Sequence, residues 1–157
     1  MSPGPTFDPE RLASAYARLP GSAWALPVTD NDDVNPGYQF APLIQQRVAK
    51  DAAALFAFVL VEFAPVWTAW LAKVPAHGFI GPHIDEGPYR ERWHVPVLPS
   101  GTFDGVEVQA GVSFPVAHWV VHRVDNPTDS PRVHLVVDRD VWVDVPSAPF
   151  QRIEVTR

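Results

Sequence analysis

From Val66 onwards the apolar residues of this chain recur at every second position, in short runs cut by proline and glycine. On an extended backbone alternate side chains share a face, so each run describes a strand with one side buried. The runs fall at 66–74, 92–98, 105–109, 120–124, 132–138 and 141–145. Turn formers separate them at 75–78, 99–101 and 126–131. Many short strands at close spacing predict a β-sandwich or barrel.

Ahead of Val66 the pattern is helical. A short helix is predicted over 9–19, with Asp8 as N-cap, Pro9 at the first helical position and Gly21 just past the end. A longer helix is predicted over 42–60, because Ile44, Val48, Ala52, Leu55, Phe56, Val59 and Leu60 fall at three- and four-residue steps. Pro65 ends it. Asp30, Asn31, Asp32, Asp33, Asn35, Pro36 and Gly37 form a run of turn formers, read as a surface loop. The stretch 21–41 is where a closing lid would sit.

At 157 residues and 17.4 kDa the chain reads as a single domain, 1–157, large enough to bury a core without staples. It contains no cysteine, which excludes disulfides, thiol nucleophiles and Cys-based zinc sites. A net charge of −6 and a pI near 5.4 argue against a nucleic-acid partner. The N-terminus carries no apolar secretion signal, and the apolar stretch at 52–60 is far short of the ~20 residues a membrane helix needs. Only Lys50 and Lys73 stand against ten arginines, beside 18 prolines. These biases read as a GC-rich bacterial coding background, and the chain as a soluble cytoplasmic protein.

All six histidines lie between His77 and His134, inside the β part. His83 and Asp85 are two residues apart, so on a strand both point to one side and can grip one metal ion. A third ligand would complete a facial triad with open positions, the arrangement of non-haem Fe(II) oxygenases. Arg92 shares a strand face with His94, and Arg132 shares one with His134. His122 sits among β-branched residues. Basic groups that point inward in so apolar a domain need anionic or metal partners.

Over about half its length the chain resembles the aspartyl/asparaginyl β-hydroxylase family. These are Fe(II)- and 2-oxoglutarate-dependent dioxygenases on a double-stranded β-helix, a cupin-type jelly roll. The resemblance is carried by His83-x-Asp85, Arg92-x-His94-x-Pro96, Gly111 before Phe114, His122 followed by Asn126, and the run from Arg132 to Asp138. It implies a mainly β, α+β fold: a helical layer over 1–63, a jelly-roll core over 64–145 and a tail over 146–157. It implies that His83, Asp85 and His122 bind Fe(II), and that Arg132 pairs with the distal carboxylate of 2-oxoglutarate. By the same resemblance His94 donates a hydrogen bond to that cosubstrate, and Arg92 meets a substrate carboxylate or a cosubstrate oxygen. The implied partners are O2 and a small-molecule or peptide substrate, with no nucleic acid and no membrane. The aromatic residues Trp67, Trp70, Phe79, Trp93, Phe114 and Trp119 can wall the site. The segment 103–111 is short for the family, 115–119 carries an extra proline and His118, and the N-terminal part shows no match.

Each residue also has a plain structural reading. His83 and Asp85 could lie in a surface turn, His122 could be a hydrogen-bonded core histidine, and Arg132 could pair with Asp138 or Asp129. His134 is read as structural, His77 and His118 as surface histidines. The functional alternatives are a non-catalytic cupin-like binding module and a metal-dependent cupin enzyme that does not use 2-oxoglutarate.

Overall fold

A computed structural model describes residues 4–25, 37–85, 91–117 and 120–139. The first helix, α1 (Pro9–Ala17), begins as its sequence requires: the Asp8 carboxylate accepts a hydrogen bond from the Glu10 amide at 3.0 Å, and Pro9 occupies the first turn. Leu12 and Ala15 are its buried face.

The predicted helix over 42–60 does not form. Its place is taken by β1 (Gln39–Gln45), β2 (Val48–Ala49), a 3-10 stretch (Asp51–Phe56) and one turn of α-helix, α2 (Ala57–Leu60). In β1 the buried residues are Ala41 and Leu43, a period of two masked by the apolar Phe40, Pro42 and Ile44 between them. Gln46 and Arg47, both at positive φ (46° and 70°), turn the chain into β2. Hairpin turns of this kind favour Asn-Gly, so nothing in the local sequence announced this one.

The β part follows as β3 (Val66–Val74), β4 (Phe79–His83), β5 (Glu91–Leu98), β6 (Thr102–Phe103), β7 (Val106–Glu107), β8 (Phe114–Val116), β9 (His122–Asp125) and β10 (Arg132–Arg139). One sheet has the order β2-β1-β3-β10-β5-β8 and the other β4-β9-β6-β7. The strand expected at 66–74 forms with those bounds; those at 92–98, 105–109, 120–124 and 132–138 form with shifted ends. The strand expected at 141–145, the acidic loop at 30–33, His118, Trp119 and the 146–157 tail lie outside the described residues. So does most of the stretch named as a possible lid.

The central strand β10 is buried on both sides. Val133, Leu135 and Val137 join Leu12, Phe56, Val59, Phe63 and Leu71 in the core beneath the helices. The alternate residues Arg132, His134, Val136 and Asp138 therefore face the space between the two sheets. Gly111, at φ +79°, lets its backbone meet that of Phe7, which donates to the Gly111 carbonyl at 2.9 Å and ties the N-terminal segment to the β7–β8 connection.

The turn before β10 hangs on Asn126, which is 1% exposed. Its side-chain amide donates to the carbonyls of Pro75 (3.0 Å) and Ser130 (2.8 Å), and its oxygen accepts from the Thr128 hydroxyl at 2.7 Å. Asn126→Ala is expected to cost about 2–3 kcal/mol, because it removes the hydrogen bonds to Pro75, Ser130 and Thr128 at once. A lower urea midpoint at unchanged slope checks this. No helix among the described residues is long and apolar enough to cross a membrane.

Candidate metal centre

His83 ends β4 and His122 begins β9, and the two are direct partners across the ladder. Their rings stand 4.4 Å apart. The register slips between Ile80 and His83, where Gly81 and Pro82 cannot hold regular pairing. Beyond the strand end Asp85 folds back, with Oδ2 at 3.0 Å from His122 Nε2 and Oδ1 at 3.6 Å from His83 Nε2. One ligand atom from each of the three lies within 4.8 Å of the others.

The backbone orients both rings. His83 Nδ1 bonds the Gly81 carbonyl at 2.7 Å and His122 Nδ1 bonds the Val120 carbonyl at 2.8 Å. A carbonyl can only accept, so each Nδ1 carries the proton and each Nε2 presents its lone pair. Phe103 stacks on the His122 ring at 5.2 Å and holds it in place. Two imidazole lone pairs and a carboxylate aimed at one point repel one another unless a cation sits between them. Protonation of His122 Nε2 relieves this in part, and its hydrogen bond to Asp85 holds His122 above its ordinary value. Burial pushes the Asp85 carboxyl up, but the His122 hydrogen bond and the charge of Arg92 outweigh it and bring it to about 2.

Arg92 is fully engaged. Its Nε and Nη2 donate to the two Asp138 oxygens at 2.7 and 2.8 Å, and its Nη1 meets Asp85 Oδ2 at 2.8 Å. This fork aims the Asp85 carboxylate. Arg92→Gln is expected to weaken divalent-metal binding by about 10–100-fold, as loss of an outer partner of a metal ligand does. Isothermal titration of parent and variant checks it.

Arg132 is in the opposite situation. It is 1% exposed, forms no ion pair among the described residues, and its Nε has no partner. Its Nη2 donates to His134 Nδ1 at 3.0 Å. Asp138 is taken by Arg92, and Asp129 by His77 at 2.6 Å, so neither of the expected carboxylates reaches it. Burial without a counter-ion lowers the Arg132 guanidinium to about 9. Arg132, His94, Arg92 and the His83–Asp85–His122 cluster line one pocket, of about 410 Å³ including its open mouth.

The same pocket holds residues the sequence did not single out. Tyr38 accepts a hydrogen bond from Trp70 Nε1 at 3.3 Å, and Ile80, Phe103, Val124 and Val136 form apolar wall. Of the aromatics expected to wall the site, Trp70 does so, while Trp93 packs against the main core. Asp138, named from the sequence as a possible partner of Arg132, lies on the Arg132 and His134 face of β10 and is engaged by Arg92 instead.

No family model matches the chain, and no curated protein does. Solved structures do. An oxidoreductase of the 2OG-Fe(II) oxygenase family from Burkholderia pseudomallei superposes with a TM-score of 0.57 at 15% identity, over 82% of this chain and 76% of its own. The fold is a cupin-type jelly roll. A prolyl-4-hydroxylase from Pseudomonas putida gives 0.56 at 18% identity, over 87% and 89% of the two chains. The collagen prolyl hydroxylase of Paramecium bursaria Chlorella virus-1, solved with 2OG, gives 0.57 at 8% identity, over 86% and 92%. This jelly roll thus carries its His-Asp-His cluster between the two sheets, at the end of the smaller one.

Proposed function

We propose that this chain is an Fe(II)- and 2-oxoglutarate-dependent dioxygenase that hydroxylates a C–H of an amino acid, a peptidyl residue or a related small molecule. The observation that carries this reading is the buried, unpaired Arg132 in the same pocket as the His83–Asp85–His122 cluster. A guanidinium held without a counter-ion is costly, and it is balanced when a carboxylate arrives. The donor set fits the metal: two neutral imidazoles and a carboxylate on one side suit Fe(II) and leave the opposite positions open. The similar structures include a 2OG-Fe(II) oxygenase and a prolyl hydroxylase solved with 2OG, which supports the same chemistry. The ordered motifs of the sequence support an aspartyl/asparaginyl β-hydroxylase type within it.

When bound, Fe(II) and 2-oxoglutarate supply, with O2, an oxidant that hydroxylates an unactivated C–H, with succinate and CO2 as co-products. His83, Asp85 and His122 would hold the metal. Arg132 would take the distal carboxylate through the planar fork that suits it and that lysine lacks. Arg92 keeps Asp85 aimed, and the walls formed by Trp70, Ile80 and Phe103 limit water around the reacting centre. A cupin enzyme or binding module whose ligand carries no carboxylate leaves the buried charge of Arg132 unexplained.

The test is an anaerobic titration with Fe(II) and then 2-oxoglutarate, following the visible charge-transfer band of the chelate. The band is expected only with both additions, and is expected to fade in Asp85→Ala and Arg132→Ala. Iron that binds without a band on adding 2-oxoglutarate would point to a different cupin enzyme. Failure to bind iron would leave a binding module.

A further inference from the structure

Deeper than the metal cluster, three buried side chains form a short polar chain whose protons can be placed by elimination. Arg132 Nη2 lies 3.0 Å from His134 Nδ1, and His94 Nδ1 lies 3.1 Å from that same atom. A guanidinium has no acceptor, so His134 Nδ1 must be bare. A bare His134 Nδ1 facing His94 Nδ1 at hydrogen-bond distance requires the proton on His94. Both rings are neutral, since burial first and then the charge of Arg132 push them well below the ordinary histidine value. A neutral imidazole carries one proton. His134 therefore carries its proton on Nε2, the buried atom that has no partner, and His94 is left with a lone pair on Nε2.

We infer that His134 is a positioning residue that fixes the tautomer of His94, so that the pocket presents a hydrogen-bond acceptor at His94 and not the donor that the family resemblance implies. The ring lines the pocket beside the metal cluster. Phe103 and Phe114 pack against it with centroids at 5.1 and 5.4 Å, which keeps it in that orientation. The pocket is thus polarised: carboxylate oxygens are drawn to Arg132, and the group received at His94 bears an O–H or N–H. A carboxylate oxygen brought to His94 would meet lone pair with lone pair. His134 Nδ1 has a single lone pair shared by two donors, so a carboxylate that draws Arg132 away leaves it wholly to His94 and strengthens the setting. What the acceptor faces rests on the proposed function; the tautomer does not.

The experiment is long-range 1H–15N correlation of the histidine rings in the metal-free, full-length protein at neutral pH, with His94→Gln and His134→Asn assigning the signals. The expected result is a protonated Nδ1 on His94 and a protonated Nε2 on His134. His134→Asn retains an acceptor oxygen near the Nδ1 position, and His94 is expected to keep its tautomer there. In His134→Leu the acceptor is gone, and His94 is expected to show averaged nitrogens. A His94 protonated on Nε2 in the parent overturns the inference, as does an unchanged His94 tautomer in His134→Leu. Because no metal or cosubstrate is present, failure here leaves the charge-transfer band untouched. Absence of that band likewise leaves the tautomer standing.

Discussion

Arg132→Met is expected to give a ligand-free protein that melts higher than the parent and no longer responds to 2-oxoglutarate. Among the described residues the guanidinium is buried without a carboxylate, and its Nε has no partner. Replacing buried charges by apolar groups of similar volume has stabilised other proteins by about 1–4 kcal/mol. For a domain of this size each kcal/mol is worth about 2–4 °C. The parent should regain the difference when ligand binds, about 2.7 kcal/mol at a hundred times Kd. Thermal melts with and without 2-oxoglutarate, in the presence of Ni(II), measure both effects. A variant that melts lower and still responds to 2-oxoglutarate would show that Arg132 is structural. The pH dependence has a definite sign. The folded protein holds this proton less tightly than the unfolded chain, with a value of about 9, well below that of an ordinary arginine. The deficit is therefore full below about 9 and shrinks as pH rises above it. The gap between variant and parent should narrow over that range.

The second large effect is expected at Asp85. Asp85→Asn keeps the shape of the side chain but removes the charge that balances Arg92 Nη1 and His122. Divalent-metal affinity should fall by more than the about 10–100-fold that outer partners cost, because a ligand itself is weakened. Acid stability separates the two proteins as well. The folded-state value of about 2 lies below the ordinary 3.8, so Asp85 stabilises the fold fully above 3.8 and loses that contribution as pH falls towards 2. Acid unfolding of Asp85→Asn should be correspondingly flatter across that window. Equal metal affinity in variant and parent would remove Asp85 from the ligand set.

How much of this was legible in the sequence depends on where each residue's partners lie. The strand Val66–Val74 was readable because its own apolar residues define it. The strand Phe79–His83 was not, since Gly78, Gly81 and Pro82 read as turn formers and only pairing with β9 makes the segment extended. The helical spacing over 42–60 misled because pairing of β1 with β3 overrides local periodicity, as tertiary context does for weak propensities. At the site, His83 and Asp85 stood out by type and spacing, His122 and Arg132 through the family resemblance, and the fold brings all four to one pocket. The engagement of Arg92 by Asp138 was hidden, because it joins neighbouring strands 46 residues apart in sequence. Phe103 was hidden for the same reason: its ring meets His122 through the pairing of β6 with β9.

The strand order has a consequence for how the protein comes into being. In the larger sheet β10 is inserted between β3 and β5, although it is made long after both. No two consecutive strands among β3, β4 and β5 are hydrogen-bonded neighbours, so the emerging chain cannot close this sheet piecemeal. Non-local pairing of this kind is slow, and it leaves strand edges open while it waits. The strand that completes the sheet is also the one that carries Arg132 and His134. A chain interrupted before β10 would hold its His-Asp-His residues without Arg132, so the cosubstrate binding proposed for this pocket would require the completed architecture.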